Sequence, residues 1–436
     1  MMFDMMGEAA IKRAGMAASL LALTAWSAPQ ALAEATAAKT AQAQPAAAAT
    51  VEDETPVIPA IAEWAEGYVT SGKLAGLVTL VAQGGEVTHL SSHGVQNLQT
   101  RVPMTQDTLF RIYSMTKPIT SVGIMMLVEE GKIALDDPVA KYLPAFKGAK
   151  VFKAVKEDGT VETEKQKRAF TVRDLMRHTA GMTYGIFGNH PVDKLYREAG
   201  LLDPRDDNEA FLKKLATLPL MKQPGTDWHY SVSVDVQGRL IEVISGKTLG
   251  AFFQERIFDP LDMDDTGFFT PTEDLYRLAT VYSPKEDEDG IVYNEQVNAA
   301  GIKLKGFKFM SGGGGLVSTA HDYLKFSQMM LNGGELNGVR LLKQETVDDM
   351  RRNHLPEDQL PYSQRAPGHG FGLGFAVTME PQNAHQNKGR YFWGGAASTV
   401  FWIDPEDDTV AILMTQMNPS STYPLREEFE KVVHPE

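Results

Sequence analysis

A hydroxyl and an amine stand three residues apart in Ser114-Met115-Thr116-Lys117, the only Ser-x-x-Lys in the chain. Pro118 and the apolar positions Ile119, Val122, Met125, Met126 and Val128 predict a helix running to Gly131, whose first turn contains or closely follows Ser114. At i and i+3 of a helix the two groups lie on one face and can meet. A serine hydroxyl is a poor nucleophile until a base takes its proton. A lysine serves as that base when burial or nearby cations bring it well below its ordinary pKa of about 10.4. The apolar helix supplies burial, and a helix N-terminus favours negative charge developing at Ser114. Alone the pair is a weak signal, because a capping serine with a solvent-facing lysine has the same spacing.

Two further pieces could complete a site. Tyr230 lies in Trp228-His229-Tyr230-Ser231, after the turn-forming Pro224-Gly225 and before a helical stretch ending at Gly246. A phenol at such a junction can relay a proton to a leaving group, although a packed aromatic occupies the same kind of position. Trp393-Gly394-Gly395-Ala396 interrupts a strand pattern with two glycines. Glycine within a strand marks either close approach by another group or a β-bulge.

Other chemistries find little support. The chain has no cysteine, which excludes disulfides, thiol catalysis and thiolate-ligated metals. Its ten histidines are scattered with no His-Glu-x-x-His, so neither a catalytic metal nor another cofactor is expected. His178 reads as a structural hydrogen-bonding group. Gly312 to Gly315 lacks the Lys-Ser/Thr of a phosphate loop and reads as a tight turn, and Lys285 to Gly290 lacks the alternating oxygen ligands of a calcium loop. No Gly-x-Ser-x-Gly occurs, which removes the usual nucleophile elbow. A formal net charge of -14 argues against nucleic acid or an anionic membrane surface as partner. Nothing in the sequence bears on oligomeric state.

The elements that must position these residues follow from periodicity. Ile58, Ile61, Trp64 and Tyr68 recur at helical spacing, and Gly76 to Ala82 and Val87 to Ser92 read as a hairpin around Gly84-Gly85. Phe371 to Thr378, Tyr391 to Ile403 and Thr409 to Met414 read as strands, and Tyr423 to Val433 as a closing helix. The middle carries helical stretches at Val172 to Arg177, Asn208 to Leu218 and Ser233 to Ser245. The expected fold class is α+β. One lobe, residues 57–135 with 310–436, holds an antiparallel sheet flanked by helices, and residues 136–309 form a mostly helical lobe.

Ahead of these, Lys12-Arg13, the apolar stretch Ala14 to Trp26 and Ala31-Leu32-Ala33 read as a cleavable secretory signal over residues 1–33. Residues 34–56 read as an Ala-rich flexible linker. The expected location is periplasmic or secreted, without stable membrane insertion after cleavage.

Taken together, Phe110 to Lys117 (FRIYSMTK), Leu175 to Met182 (LMRHTAGM), Pro224 to Ser231 (PGTDWHYS), Met310 to Thr319 (MSGGGGLVST), Phe371 to Phe375 (FGLGF) and Trp393 to Gly395 resemble the serine β-lactamase and penicillin-binding protein superfamily. Within it the chain is most similar to family VIII carboxylesterases, which are themselves similar to class C β-lactamases. The resemblance implies a cofactor-free acyl-enzyme on Ser114, with Lys117 accepting its proton and Tyr230 shuttling protons. It also implies an oxyanion hole from the backbone N–H groups of Ser114 and Ala396. Class C enzymes carry Tyr-x-Asn where this chain has Tyr230-Ser231-Val232, and Lys-Thr-Gly where it has Trp393-Gly394-Gly395. The loss of the amide, cation and hydroxyl favours a small, uncharged, short-chain ester over a β-lactam or D-amino-acid peptide. A catalytically idle cell-wall-binding protein is the remaining alternative.

Overall fold

The computed structural model describes residues 56–286, 288–300, 307–364 and 366–435. The expected signal and all of the expected linker but Pro56 lie outside them, as does Asp287 of the acidic Lys285 to Gly290 run. Residues 55–436 form one compact unit.

Helix α1 (Pro59–Thr70) starts with proline at its first position, where no backbone donor is needed, and leads into β1 (Gly76–Gln83) and β2 (Glu86–Gly94). The C-terminal part supplies β3 (His369–Phe371), β4 (Ala376–Thr378), β5 (Tyr391–Gly394), β6 (Val400–Asp404) and β7 (Thr409–Thr415). All seven form one antiparallel sheet in the order β3-β4-β5-β6-β7-β1-β2. The N-terminal hairpin therefore extends the sheet built by the C-terminal strands, with β1 pairing with β7 in the register Leu80 opposite Ile412.

Alternation along the strands gives the sheet two apolar faces. On one, Leu77, Val81, Trp402 and Leu413 cluster with Ile61 and Ala65 of α1 and with Leu425 and Phe429 of the closing helix α5 (Leu425–Val433). On the other, Val78, Leu80, Phe401 and Ile412 join the larger core, with Tyr323, Phe326 and Met329 of α4 (Ala320–Leu331). Fully burying each such side chain contributes about 1.5–3 kcal/mol before conformational entropy is counted. The same cluster continues through Phe211, Leu240 and Phe252, so the sheet side and the helical segment share one core.

At the centre runs α2 (Thr116–Glu129), buried from Thr116 to Leu127 and packed against α3 (Ser233–Ser245), which Gly246 ends at φ 72°. Three readings need correction. Phe371 to Thr378 is two strands, because Gly374 turns at φ 103°, and Tyr391 to Ile403 is two strands joined by a turn through Ser398 at φ 67°. The middle segment also carries two β-ribbons, Lys150–Val155 with Val161–Lys165 and Tyr282–Pro284 with Ile291–Tyr293. Both are largely solvent-facing and lack the apolar alternation by which a half-buried strand is recognised.

Candidate active site

The chain enters the site through a strained turn. Tyr113 adopts φ 43°, a left-handed conformation that costs a non-glycine residue about 1–3 kcal/mol, and Ser114 follows within the 3-10 turn Tyr113–Met115. Ser114 thus lies two residues ahead of the start of α2, while Lys117 lies in its first helical turn. The turn is fixed from α4, where the Tyr323 hydroxyl donates to the Met115 carbonyl at 2.9 Å.

Lys117 is 1 % exposed. Its Nζ donates to Ser114 Oγ at 3.1 Å and to the Gly313 carbonyl at 2.6 Å. The rings of Tyr230 and Tyr184 lie 4.6 and 5.3 Å from it, within cation–π range. Tyr230 arrives from the segment ahead of α3 and donates its hydroxyl to Ser114 Oγ at 2.7 Å. Tyr230, more than a hundred residues further along the chain, thus meets Lys117 on the Ser114 oxygen.

Trp393 closes the other side, its Nε1 donating to the Tyr230 hydroxyl at 3.4 Å and its ring 5.5 Å from the Tyr230 ring. Between the two readings of the glycine pair, Gly395 decides for close approach. A Cβ there would sit 2.5 Å from the Ile112 carbonyl, so its absence lets this strand end abut the entry to Ser114. The Gly395 N–H donates to the Thr399 carbonyl at 2.7 Å, whereas Ala396 is exposed at the turn. Trp228, Tyr362 and Phe371 surround Trp393 and Tyr230 with aromatic surface.

His178 is buried against the Tyr230 ring at 4.9 Å, and its carbonyl accepts from the His229 N–H. Burial first, then the Lys117 charge, holds its imidazole well below the usual range, so it packs as a neutral ring.

The sequence reading missed the support behind Lys117. Gly312 to Gly315 does form a tight turn, with Gly315 N–H donating to the Ser311 carbonyl, and that turn presents the Gly313 carbonyl to Lys117. Asp235 of α3 anchors it by accepting from the Ser311 hydroxyl at 2.5 Å and from the Gly313 N–H at 3.1 Å. Burial pushes the Asp235 carboxyl up, against the Ser311 bond and the Lys117 charge. Any side chain at Gly313 would meet Asp235 Oδ2 at 2.6 Å and the Tyr184 hydroxyl at 2.9 Å. The available signal was an aspartate within the apolar run Val232 to Val236. It reads equally as a favourable charge near a helix start.

Among the described residues no group of three or more His, Asp or Glu side chains is arranged to hold a metal ion. No described helix is long and apolar enough to cross a membrane.

The chain is similar to known proteins in sequence and fold. Esterase EstB of Burkholderia gladioli is 30% identical over 362 residues, covering 79% of this chain and 86% of that protein. An uncharacterized protein of Mycobacterium tuberculosis is 36% identical over 361 residues, covering 80% and 87%. Among solved structures, EstCE1, described as a hydrolase with promiscuous acyltransferase activity, superposes with a TM-score of 0.72 at 27% identity, covering 86% of this chain and 97% of that one. The family model described as Beta-lactamase matches residues 61–433. The chain therefore belongs to the β-lactamase family, with its antiparallel-sheet fold, and is an enzyme of the serine-hydrolase type.

Proposed function

We propose that the protein hydrolyses carboxylic esters, short-chain ones included, through an acyl-enzyme on Ser114. The observation that carries this is the convergence of Tyr230 and Lys117 on Ser114 Oγ, at 2.7 and 3.1 Å. The Gly313 carbonyl holds one N–H of Lys117, which turns Nζ towards the Ser114 hydroxyl and its proton. As Oγ adds to the ester carbonyl, that proton passes to Lys117, and the carbonyl oxygen gains negative charge. The backbone N–H groups of Ser114 and Ala396 receive this charge. Assignment to Ala396 rather than its neighbour is supported by Gly395, whose N–H is already committed to Thr399. Collapse of the intermediate expels the alkoxide, which takes a proton from Tyr230, itself reprotonated from Lys117. In deacylation a water loses its proton along the same path in reverse and attacks the acyl carbon, and Ser114 regains its hydrogen.

The uncharged aromatic surface of Trp393, Tyr362 and Phe371 supports an ester rather than a substrate gripped by its carboxylate. The Tyr-Ser and Trp-Gly-Gly pattern supports placement among the family VIII carboxylesterases. The printed descriptions of EstB as an esterase and EstCE1 as a hydrolase point the same way. Hydrolysis of p-nitrophenyl butyrate by wild type and its loss in Ser114→Ala are expected. Turnover retained in Ser114→Ala would overturn the mechanism. Faster turnover of nitrocefin than of the ester would move the assignment to β-lactams.

A further inference from the structure

A cavity of about 420 Å³ opens beside the catalytic framework, lined by Phe258, Phe268, Phe269, Asp264, Asp274 and Thr270 among others. Its volume falls in the range of about 300–1,000 Å³ that small-molecule sites occupy. None of Ser114, Lys117, Tyr230 or Trp393 borders it.

Its charge is one-sided. Asp264, Asp265 and Asp274 all line it, and no Lys, Arg or His among the described residues does. Arg277 lies behind and is shared. It binds Asp265 through two hydrogen bonds, at 2.8 and 2.5 Å, and stands 3.3 Å from Asp107 and 3.7 Å from Asp274. Asp264 makes no ion pair among the described residues. One guanidinium therefore leaves negative charge uncompensated at the mouth. The buried Thr270 hydroxyl, 2 % exposed, has no hydrogen-bond partner. Leaving a buried hydroxyl unpaired is unfavourable, and a ligand donor or acceptor reaching it would relieve that.

We infer that this cavity is a binding site for a small organic ammonium ion. Carboxylates beside aromatic side chains favour a cation that is also apolar, since the charge attracts its ammonium group and the rings accept its hydrocarbon surface. A bare metal ion gains nothing from the three rings, and an anion is repelled by all three carboxylates. A neutral apolar molecule would leave the carboxylates without a counter-charge. The site is independent of the ester reading and of Ser114.

Isothermal titration of the full chain with choline, and with its uncharged carbon isostere 3,3-dimethylbutan-1-ol, tests this. Saturable choline binding is expected, with the isostere about tenfold weaker or more. Asp264→Asn should weaken choline severalfold without changing ester turnover, because Asp264 is exposed and outside the catalytic framework. Phe269→Leu, which keeps an apolar side chain and removes the ring, should do the same. Ser114→Ala should bind choline as wild type does. No saturable choline binding, equal affinity for the isostere, or affinity unchanged in both Asp264→Asn and Phe269→Leu would overturn the proposal.

Discussion

Ser91 and Ser114 both sit beside a base, and only Ser114 has surroundings suited to acyl transfer. On β2, Ser91 Oγ lies 3.1 Å from His93 Nε2, and His93 Nδ1 lies 2.9 Å from Glu66 Oε2, the connectivity of a serine–histidine–carboxylate triad. Ser91 is nonetheless in mid-strand, opposite Thr79 in the β1–β2 ladder, and its hydroxyl is held by Thr79 at 3.0 Å and His89 at 3.1 Å. β2 is the edge of the sheet and pairs only with β1, and successive N–H groups of an extended strand point to opposite sides, so neighbouring donors cannot converge on one oxyanion. Ser114 stands at a left-handed turn ahead of a buried helix, opposite a strand end opened by Gly395. The contrast teaches that a base at hydrogen-bonding distance is not what makes a nucleophile. The backbone on which the serine sits must also let donors converge and leave a carbonyl's width of room.

The largest expected effect breaks the comparison directly. Ser114→Ala should lower kcat/KM for p-nitrophenyl butyrate by about 10³-fold or more, while Ser91→Ala stays within about twofold of wild type. A comparable loss in Ser91→Ala would show that the β2 cluster, not the helix-start site, carries the chemistry. Next in size are the two groups on Ser114. Lys117→Met and Tyr230→Phe should each cost about 10²–10⁴-fold, mostly in kcat, because both act by moving protons. A Tyr230→Phe enzyme that lost only KM would reduce the phenol to a binding surface.

A smaller loss should sharpen the role of the framework. Asp235→Asn keeps the size of the side chain but replaces the carboxylate that holds both Ser311 and the Gly313 N–H. With the turn loosened, Lys117 loses the carbonyl that aims it. A drop of about tenfold in kcat with little change in KM is expected, together with a shifted pH–rate profile, since the Lys117–Asp235 interaction is altered. An unchanged pH profile would make Asp235 a packing residue only.

How far the sequence could reveal this depended on whether a feature is periodic or needs three dimensions. Helix α3 was legible to the residue because Pro224-Gly225 precedes it, its apolar spacing is regular, and Gly246 ends it. Ser114, Lys117 and Tyr230 stood out by type, and folding brings them within 3.1 Å of one another's polar atoms at Ser114. The Gly313 carbonyl could not be found, since every residue has a carbonyl and its direction depends on a turn packed against another helix. The requirement for glycine at Gly395 comes from the Ile112 carbonyl, almost three hundred residues earlier. The breaks at Gly374 and Ser398 were missed because runs of apolar and aromatic residues continue across them.

The outer cluster supplies the smallest effect, one of pH on stability. His89 Nδ1 accepts from the Ile58 N–H at 2.9 Å, which requires that nitrogen to be unprotonated and leaves Nε2 for Thr79 and Ser91. Burial first, then the neighbouring His93, lowers the His89 pKa from 6.5 to about 4. Glu66 faces this cluster from α1 through His93, and among the described residues no carboxylate pairs with His89 itself. The folded state therefore resists protonation at His89, while the unfolded chain takes a proton near its ordinary pKa of about 6.5. The contribution to stability is complete above that value and falls as pH drops towards 4. Urea midpoints measured at pH 7.5, 5.5 and 4.5 should decline in wild type, and His89→Gln should remove part of that decline. An identical decline in the variant would place the acid sensitivity among the carboxylates instead, and would leave His89 a packing group whose tautomer the fold does not control.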